Sequence, residues 1–414
     1  MGPGPTTSFQ KYTRRQTMKA NKPRLHPLLA ALIATTAAGG VAAQTAQTQE
    51  LKQITSPAGG LASGGSSSVQ VYGLIDSSVA SVSMQGQRAT KLESGHMMGS
   101  RLGFKGSEDL GGGLRANFQL EMGINTSNGA QQQNQGFGAK AFGRGSLISL
   151  TGNFGELRMG RTLASLPTEV QAVGDPFGLG GGGNLQGIQP SPGRQNNNIL
   201  YQSPSIGGFI GKAAYTISEY TRQSIDIEHR AHQYTLALFY KNDAWSAAVS
   251  ATRMTNPTDG SATRYFNSAL AYDFKAFKLF GSFATFKNPG AAITPTVNTG
   301  LDNSGQLAGF PSVGYYEGQD DRSFSIGASV KLGPGTLLLN AIDLNDTGPL
   351  NHDARQYGVA YLYPMSKRTT LYTDYGYVKN KNGAGYTLTG AVTAAGFTNN
   401  GNSNAYRVGI IHSF

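Results

Sequence analysis

The sequence predicts an all-β protein, a 16-stranded antiparallel transmembrane β-barrel. Three observations predict it. Segments of about ten residues alternate apolar and polar side chains, the length and dyad period of a membrane-crossing strand. Between them, short turns alternate with long polar connections, as happens when hairpins close on one side of a bilayer and open into loops on the other. The chain finishes on AYRVGIIHSF, where Tyr406, Val408, Ile410, His412 and Phe414 share one parity and Arg407, Gly409, Ile411 and Ser413 the other. Alternate residues of a strand point to opposite faces, so this end is a strand with an apolar, aromatic-tipped face.

The chain has 414 residues, enough for two or three soluble domains or one large barrel. Hydrophobic residues make up only 38%, which argues against a bundle of membrane helices. There are 57 Gly, many in turn-like runs, with 19 Tyr, 19 Phe, one Trp and no Cys, a usage compatible with an oxidising compartment managed without disulfides. The net charge of +11 is inflated by the leader: Lys11, Arg14, Arg15, Lys19, Lys22 and Arg24 fall in residues 1–43, which hold no acid. Without them 28 basic and 23 acidic residues leave +5. The basic residues are scattered through β-like segments, with no basic helical stripe, so nucleic acid is not an expected partner.

The first element is an export signal. From Met18 the chain reads MKANKPRLHPLLAALIATTAAGGVAAQ, with a basic start, an apolar middle, and Val41 and Ala43 where a signal peptidase reads small residues. Residues 1–43 are therefore expected to be a signal peptide with an N-terminal extension, the start falling at Met18. The apolar run is too short and interrupted for an anchor. Residues 44–68, rich in Gln, Thr, Ser, Gly and Ala, are expected to form a polar disordered periplasmic tail, because they bury too little apolar surface to offset ordering. The barrel is expected over 69–414.

Strands follow in order. VQVYGLIDSSVASV (69–82) opens the barrel and is expected to pair with the closing strand. SRLGFKG sets Leu102 and Phe104 against Arg101 and Lys105, and turns through SEDLGGG into LRANFQLEMG. There Leu114, Ala116, Phe118, Leu120 and Met122 alternate with Arg115, Asn117, Gln119 and Glu121. FIGKAAYTI, HQYTLALFY, WSAAVSATRM, RYFNSALAYDF, FKLFGSFATF, SFSIGASVKL, TLLLNAIDLN, ARQYGVAYLY and TTLYTDYGYV continue the pattern. Starts are expected near 69, 96, 114, 140, 156, 196, 209, 230, 244, 262, 277, 321, 335, 352, 369 and 404. A soluble β-sandwich would also alternate, but its apolar face would point inward. Here the leader and aromatic terminus favour lipid outside and water inside, and closure leaves no unpaired edge in the bilayer.

The stretches SSVQVYGLIDSSV, SRLGFKGSEDLGGGLRANFQLE, SLTGNFGELRMGRT, NNNILYQSPSIGGF, SKRTTLY and YRVGIIHSF, in this order and spacing from about 67 to 414, resemble the general porins of Gram-negative bacteria, β-proteobacterial type. The resemblance implies a homotrimer and passive diffusion of small hydrophilic solutes, with no cofactor. The partners it implies are outer-membrane lipid and lipopolysaccharide and the barrel-assembly machinery, read through Tyr406, Val408, Ile410 and Phe414. The 44–68 tail departs from it, since similar mature chains begin almost at strand one.

The resemblance also implies that the third external loop folds into the pore. That loop would be 162–195, TLASLPTEVQAVGDPFGLGGGGNLQGIQPSPGRQ. Its Gly180–Gly183 run is not a phosphate loop, because no Gly-Lys-Ser/Thr follows; glycine there lets a folded-in loop pass where side chains will not fit. The implied basic cluster maps to Arg101, Arg144 and Arg194, with Arg161 where the chain leaves for the loop. The acidic side is thin: Glu169 and Asp175 on the loop and Glu121 on a polar strand face. An excess of arginine in a narrow pore favours anions. Arg101 has the polar parity of its strand. Arg144 shares parity with Ile148 and Leu150, so it needs a kink, for which Gly143 and Gly145 are suited. Lys105, Arg115 and Arg158 also lie on polar parities. The same arginines are equally suited to pairing with Glu121, Asp175 or loop carbonyls and holding the loop in place.

Enzyme chemistry has little to stand on. Glu228, His229 and His232 form EHRAH, whose spacing suits metal ligands on a helix, but these residues run into a strand. No Gly-x-Ser-x-Gly nucleophile motif occurs. Two further readings compete with a general channel. A substrate-specific channel would carry a dense track of aromatics or an opposed charge ladder inside. An adhesin on a barrel would need much longer external loops than 381–403.

Overall fold

The computed structural model describes Gly2 and residues 68–84, 87–132, 140–189, 192–217, 232–255, 259–290, 316–388 and 401–414. Apart from Gly2 and Ser68, the expected leader and tail lie outside these residues, as do Glu228 and His229.

Eighteen β segments are described. They are β1 (Ser68–Met84), β2 (Gln87–Ser94), β3 (Arg101–Gly111), β4 (Leu114–Ile124), β5 (Gln131–Gln132) and β6 (Gly145–Gly152). Next come β7 (Gly155–Arg161), β8 (Asn198–Gln202), β9 (Phe209–Thr216), β10 (Gln233–Lys241), β11 (Trp245–Thr255) and β12 (Ala262–Asp273). The chain ends with β13 (Phe277–Asn288), β14 (Gln319–Leu332), β15 (Gly335–Asp346), β16 (Ala354–Pro364), β17 (Thr369–Asn380) and β18 (Ser403–Ser413).

They make 16 staves, because two staves are broken. β2 and β3 both pair with β1, at Ser77–Met84 and Ser68–Leu74 respectively. β5 and β6 likewise share β4. The second stave therefore begins at Gln87 rather than near 96. The first strand runs to Met84, longer than expected, and its outer half needs a partner. The turn expected over SEDLGGG shrinks to Gly112 and Gly113, since β3 continues to Gly111, which faces Leu114.

Every stave is antiparallel to its neighbours, and β18 closes on β1 from Leu74↔Ser413 to Met84↔Ser403. Gly73 and Phe414 exchange both backbone hydrogen bonds at the seam, at 3.1 and 3.2 Å. With the ring closed, the backbone polar groups of the strands pair with one another, as a bilayer requires.

Side chains sort by parity. Leu236, Leu238, Phe266, Leu270, Phe324, Ile326, Tyr357 and Val359 are exposed on one face, the lipid face of the barrel. Thr235, Thr252, Asn267, Ser323, Asn340, Gln356 and Asp374 are buried on the other, facing the lumen. The closing strand separates most sharply: Tyr406 and Val408 are each 51% exposed, while Arg407 between them is fully buried.

Candidate functional site

Between β7 and β8 the chain leaves the wall. Helix α1 (Leu166–Val173) begins there. Ser165 caps it, its hydroxyl accepting the Thr168 N–H, and Pro167 occupies the first turn, where a missing N–H costs nothing. The described residues 162–189 and 192–197 then follow the lumen-facing side of one strand after another. Asn267 of β12 donates to the Pro167 carbonyl at 2.8 Å. Gln171 donates to Gln189 at 2.9 Å, and Gln189 in turn donates to Ser323 of β14 at 2.8 Å. Asn340 of β15 donates to the Gly183 carbonyl at 2.8 Å, and Gln356 of β16 donates to the carbonyls of Gly182 and Asn184 at 3.0 Å. Asp374 of β17 accepts the Gly182 N–H at 2.5 Å.

The glycine run makes this crossing possible. A Cβ on Gly358 would overlap the Gly183 backbone, and one on Gly376 would meet Gly182. Loop and wall touch backbone to backbone here, so glycine is needed on both sides.

The loop leaves at Arg161 and returns at Arg194, and the arginines gather at that point. Arg144 places Nε 2.6 Å from Glu121, and Arg101 lies 4.0 Å from the same carboxylate. The Tyr72 hydroxyl donates to the other Glu121 oxygen at 2.7 Å, and Gln119 donates to Tyr72 at 2.6 Å. Arg161 donates to the Gly143 carbonyl at 2.8 Å and also to Asn196. Arg144 stands one residue before β6, in the break of the fourth stave, so strand parity does not govern it. Arg161 escapes parity differently. Met159 faces lipid, two residues earlier, but Gly160 takes φ +126°, a region only glycine enters freely, and Arg161 turns inward.

Arg194 sits beside Arg144 and Arg161. Burial first, then those two charges, pull its proton affinity well below that of an ordinary guanidinium. An arginine keeps its charge regardless, so the crowding shows as a demand for negative charge at this spot.

The three expected acids do not share one side. Glu121 lies inside the arginine cluster. Glu169 pairs with Lys212 of β9 at 2.6 Å. Asp175 turns into its own loop and accepts the N–H groups of Phe177, Leu179 and Leu185 at 2.9, 3.0 and 3.0 Å. Burial pushes its carboxyl up to about 7, against the pull of those donors.

A second ionic cluster was not expected. Arg407 of β18 pairs with Glu93 of β2 at 2.5 Å and lies 3.6 Å from Asp374. His96 Nε2 approaches Asp374 at 2.9 Å, and the His96 carbonyl accepts the Gly181 N–H at 2.8 Å. This group ties the glycine run to the barrel seam. Parity held the signal: Arg407 and Asp374 lie on inward positions and face each other across β17 and β18. His232 of EHRAH places Nδ1 2.7 Å from the Tyr215 hydroxyl. Tyr406, Val408, Ile410 and Phe414 are all exposed on the lipid face.

A closed barrel of 16 staves, apolar outside and polar within, crossed by a loop bonded to its inner wall, is the architecture of an outer-membrane porin. Comparison with known proteins agrees. A family model described as Gram-negative porin matches residues 29–383. The chain belongs to that family and resides in the bacterial outer membrane as a channel for passive diffusion. It is 30% identical over 362 residues to outer membrane porin protein 32 of Delftia acidovorans, covering 84% of this chain and 94% of that one. It is 27% identical over 386 residues to an outer membrane porin protein of Bordetella pertussis, with the same coverages of 84% and 94%. Among solved structures, an anion-selective porin from Comamonas acidovorans superposes with a TM-score of 0.68 at 28% identity, over 84% of this chain and all of that one.

Proposed function

We propose that this porin prefers anions and that Arg101, Arg144, Arg161 and Arg194 form the basic side of its constriction, with the 162–197 loop as the opposing rim. The observation that carries the reading is that Arg101, Arg144 and Arg194 gather around Glu121, with Arg161 beside Arg194, where the loop leaves and rejoins the wall. Glu169 and Asp175 subtract little, the first being paired with Lys212 and the second holding its proton up to about 7. A low-dielectric wall bearing excess positive charge raises local anion concentration and repels cations. The Comamonas relative is itself an anion-selective porin, which points the same way.

The reading extends to a homotrimer in outer-membrane lipid and lipopolysaccharide, exported by a cleaved signal peptide over 1–43. The exposed Tyr406, Val408, Ile410 and Phe414 face serves the barrel-assembly machinery. The solutes are small, hydrophilic and mostly anionic.

The test is the double variant Arg101→Ser/Arg194→Ser in planar bilayers. It is expected to lose most of the chloride preference and to conduct more, through a wider aperture. Unchanged selectivity in a correctly folded double variant would remove these two residues as its source.

A further inference from the structure

Two lysines face the lumen at the periplasmic mouth, on the far side of the ring from Arg101. Lys278 of β13 has the inward parity of the buried Ser282, Ala284 and Phe286, and Lys331 of β14 that of the buried Asp321 and Ser323. Both lie beside short connections, 274–276 and 333–334, the periplasmic side in the layout of such barrels. Lys278 faces Ser329, two residues before Lys331, so the two lysines are diagonal neighbours about 7–8 Å apart.

Neither charge is cancelled. Lys278 Nζ stands 5.2 Å from the centroid of the Phe280 ring, a contact that positions an ammonium and leaves its charge intact. The exposed side chain of Lys331 makes no hydrogen bond or ion pair among the described residues. Asp273 is the partner of Lys278 across β12 and β13, but no ion pair joins them, and its Oδ1 accepts the Lys275 N–H at 2.7 Å. Three other inward cations of the periplasmic half are offset by acids. Lys212 meets Glu169 at 2.6 Å, Arg158 meets Glu156 at 2.8 Å, and Arg115 lies 3.9 Å from Asp109.

Distance separates this pair from the constriction. Arg101 opens β3 and Gly111 ends it at the periplasmic mouth, about 33 Å along the strand. The screening length is about 8 Å at physiological ionic strength. Lys278 and Lys331 fall within one such length of each other and act on an entering ion as one doubly charged patch. The arginines lie several lengths away and act as a second, independent one.

We propose that Lys278 and Lys331 form a second selectivity station at the periplasmic mouth, in series with the arginine constriction, so that anion preference depends on which side of the membrane is dilute. The proposal rests on the anion-preferring reading of the pore. A fixed charge acts over the local screening length, which grows to about 30 Å in 0.01 M salt. With dilute solution at the periplasmic mouth, the lysine patch reaches across the opening, concentrates chloride and turns potassium away. With concentrated solution there, the patch is screened and the constriction selects alone.

The test records single channels of the full-length protein in planar bilayers, each channel exposed to the same KCl gradient in both directions. Each channel serves as its own reference, so its orientation need not be known. The wild-type chloride-to-potassium permeability ratio is expected to differ at least twofold between the two directions. In Lys278→Gln/Lys331→Gln the two ratios are expected to converge on the lower one. Arg101→Ser/Arg194→Ser is expected to lower both ratios and keep them apart. Should the double lysine variant fail to fold, Lys331→Gln alone, at an exposed position, is expected to halve the difference. Equal wild-type ratios in the two directions, or a full wild-type difference in the folded lysine variant, would overturn the proposal. Convergence in the lysine variant supports the station even where the arginine variant leaves the preference unchanged, an outcome that would count against the constriction reading alone.

Discussion

Arg144 binds Glu121 at 2.6 Å, from a break in the barrel wall onto an unbroken strand. Glu121 also meets Tyr72 and stands 4.0 Å from Arg101, so one carboxylate joins Arg144, Arg101 and Tyr72. Replacing it with Gln removes the countercharge while keeping the shape. Breaking a buried ion pair from one side costs about 3–5 kcal/mol. Glu121→Gln is expected to lower the temperature at which the barrel unfolds and to raise chloride preference in bilayers. A variant with unchanged selectivity would place this cluster away from the conduction path.

Gly160 is the hinge that turns Arg161 inward, and its φ of +126° is unfavourable for any other residue. A Cβ there would also overlap the Ser146 carbonyl. Gly160→Ala is expected to cost about 1–3 kcal/mol and to alter conductance, since Arg161 and the start of the loop move with it. Thermal unfolding and single-channel recording check both arms.

The pore should respond to pH through Asp175. Its carboxyl is raised from 3.8 to about 7, so it binds a proton more tightly folded than unfolded. The stability it contributes is complete below about pH 4 and is lost as pH rises through 7. Its charge develops over the same window. Chloride preference is expected to decline between about pH 5 and 8 in the wild type, and Asp175→Asn is expected to flatten that profile. A profile of the same slope in the variant would assign the titration elsewhere.

The loop tip is latched at Asp374, which accepts the Gly182 N–H and meets His96 and Arg407. Asp374→Ala removes all three contacts and leaves Arg407 with Glu93 and the Leu388 carbonyl. The expected result is a noisier channel of higher conductance, read in single-channel traces, with the barrel still closed.

At the seam, Phe414 lies over Gly73, where a Cβ would overlap its ring. Gly73→Val is expected to loosen β1 from β18 and lower the heat needed to convert the folded form on a denaturing gel. Overpacking of this kind costs about 1–3 kcal/mol. Combining it with Phe414→Ala should give less than the sum of the two effects, because the clash disappears with the ring.

The strands were legible because the dyad period is a direct consequence of a wall with lipid on one side and water on the other. The parity of Tyr406, Val408 and Ile410 announced the closing strand, and Arg101 announced its own direction. Arg144 and Arg161 escaped the rule for local reasons: one precedes its strand in a break, and the other follows a left-handed glycine. Neither can be read from alternation. Asp175 could be read in the sequence as an acid set against the arginines, but that its carboxylate accepts three N–H groups of its own loop shows only in the assembled loop. Arg407 and Asp374 obeyed parity, yet their pairing across adjacent strands needed the register.

The central claim is tested most directly by the reversal potential of the purified protein in a planar bilayer with a KCl gradient. A potential displaced toward chloride, shrinking as salt shortens the screening length from about 8 Å, is the predicted result. A potential displaced toward potassium would contradict the arginine constriction while leaving the barrel intact.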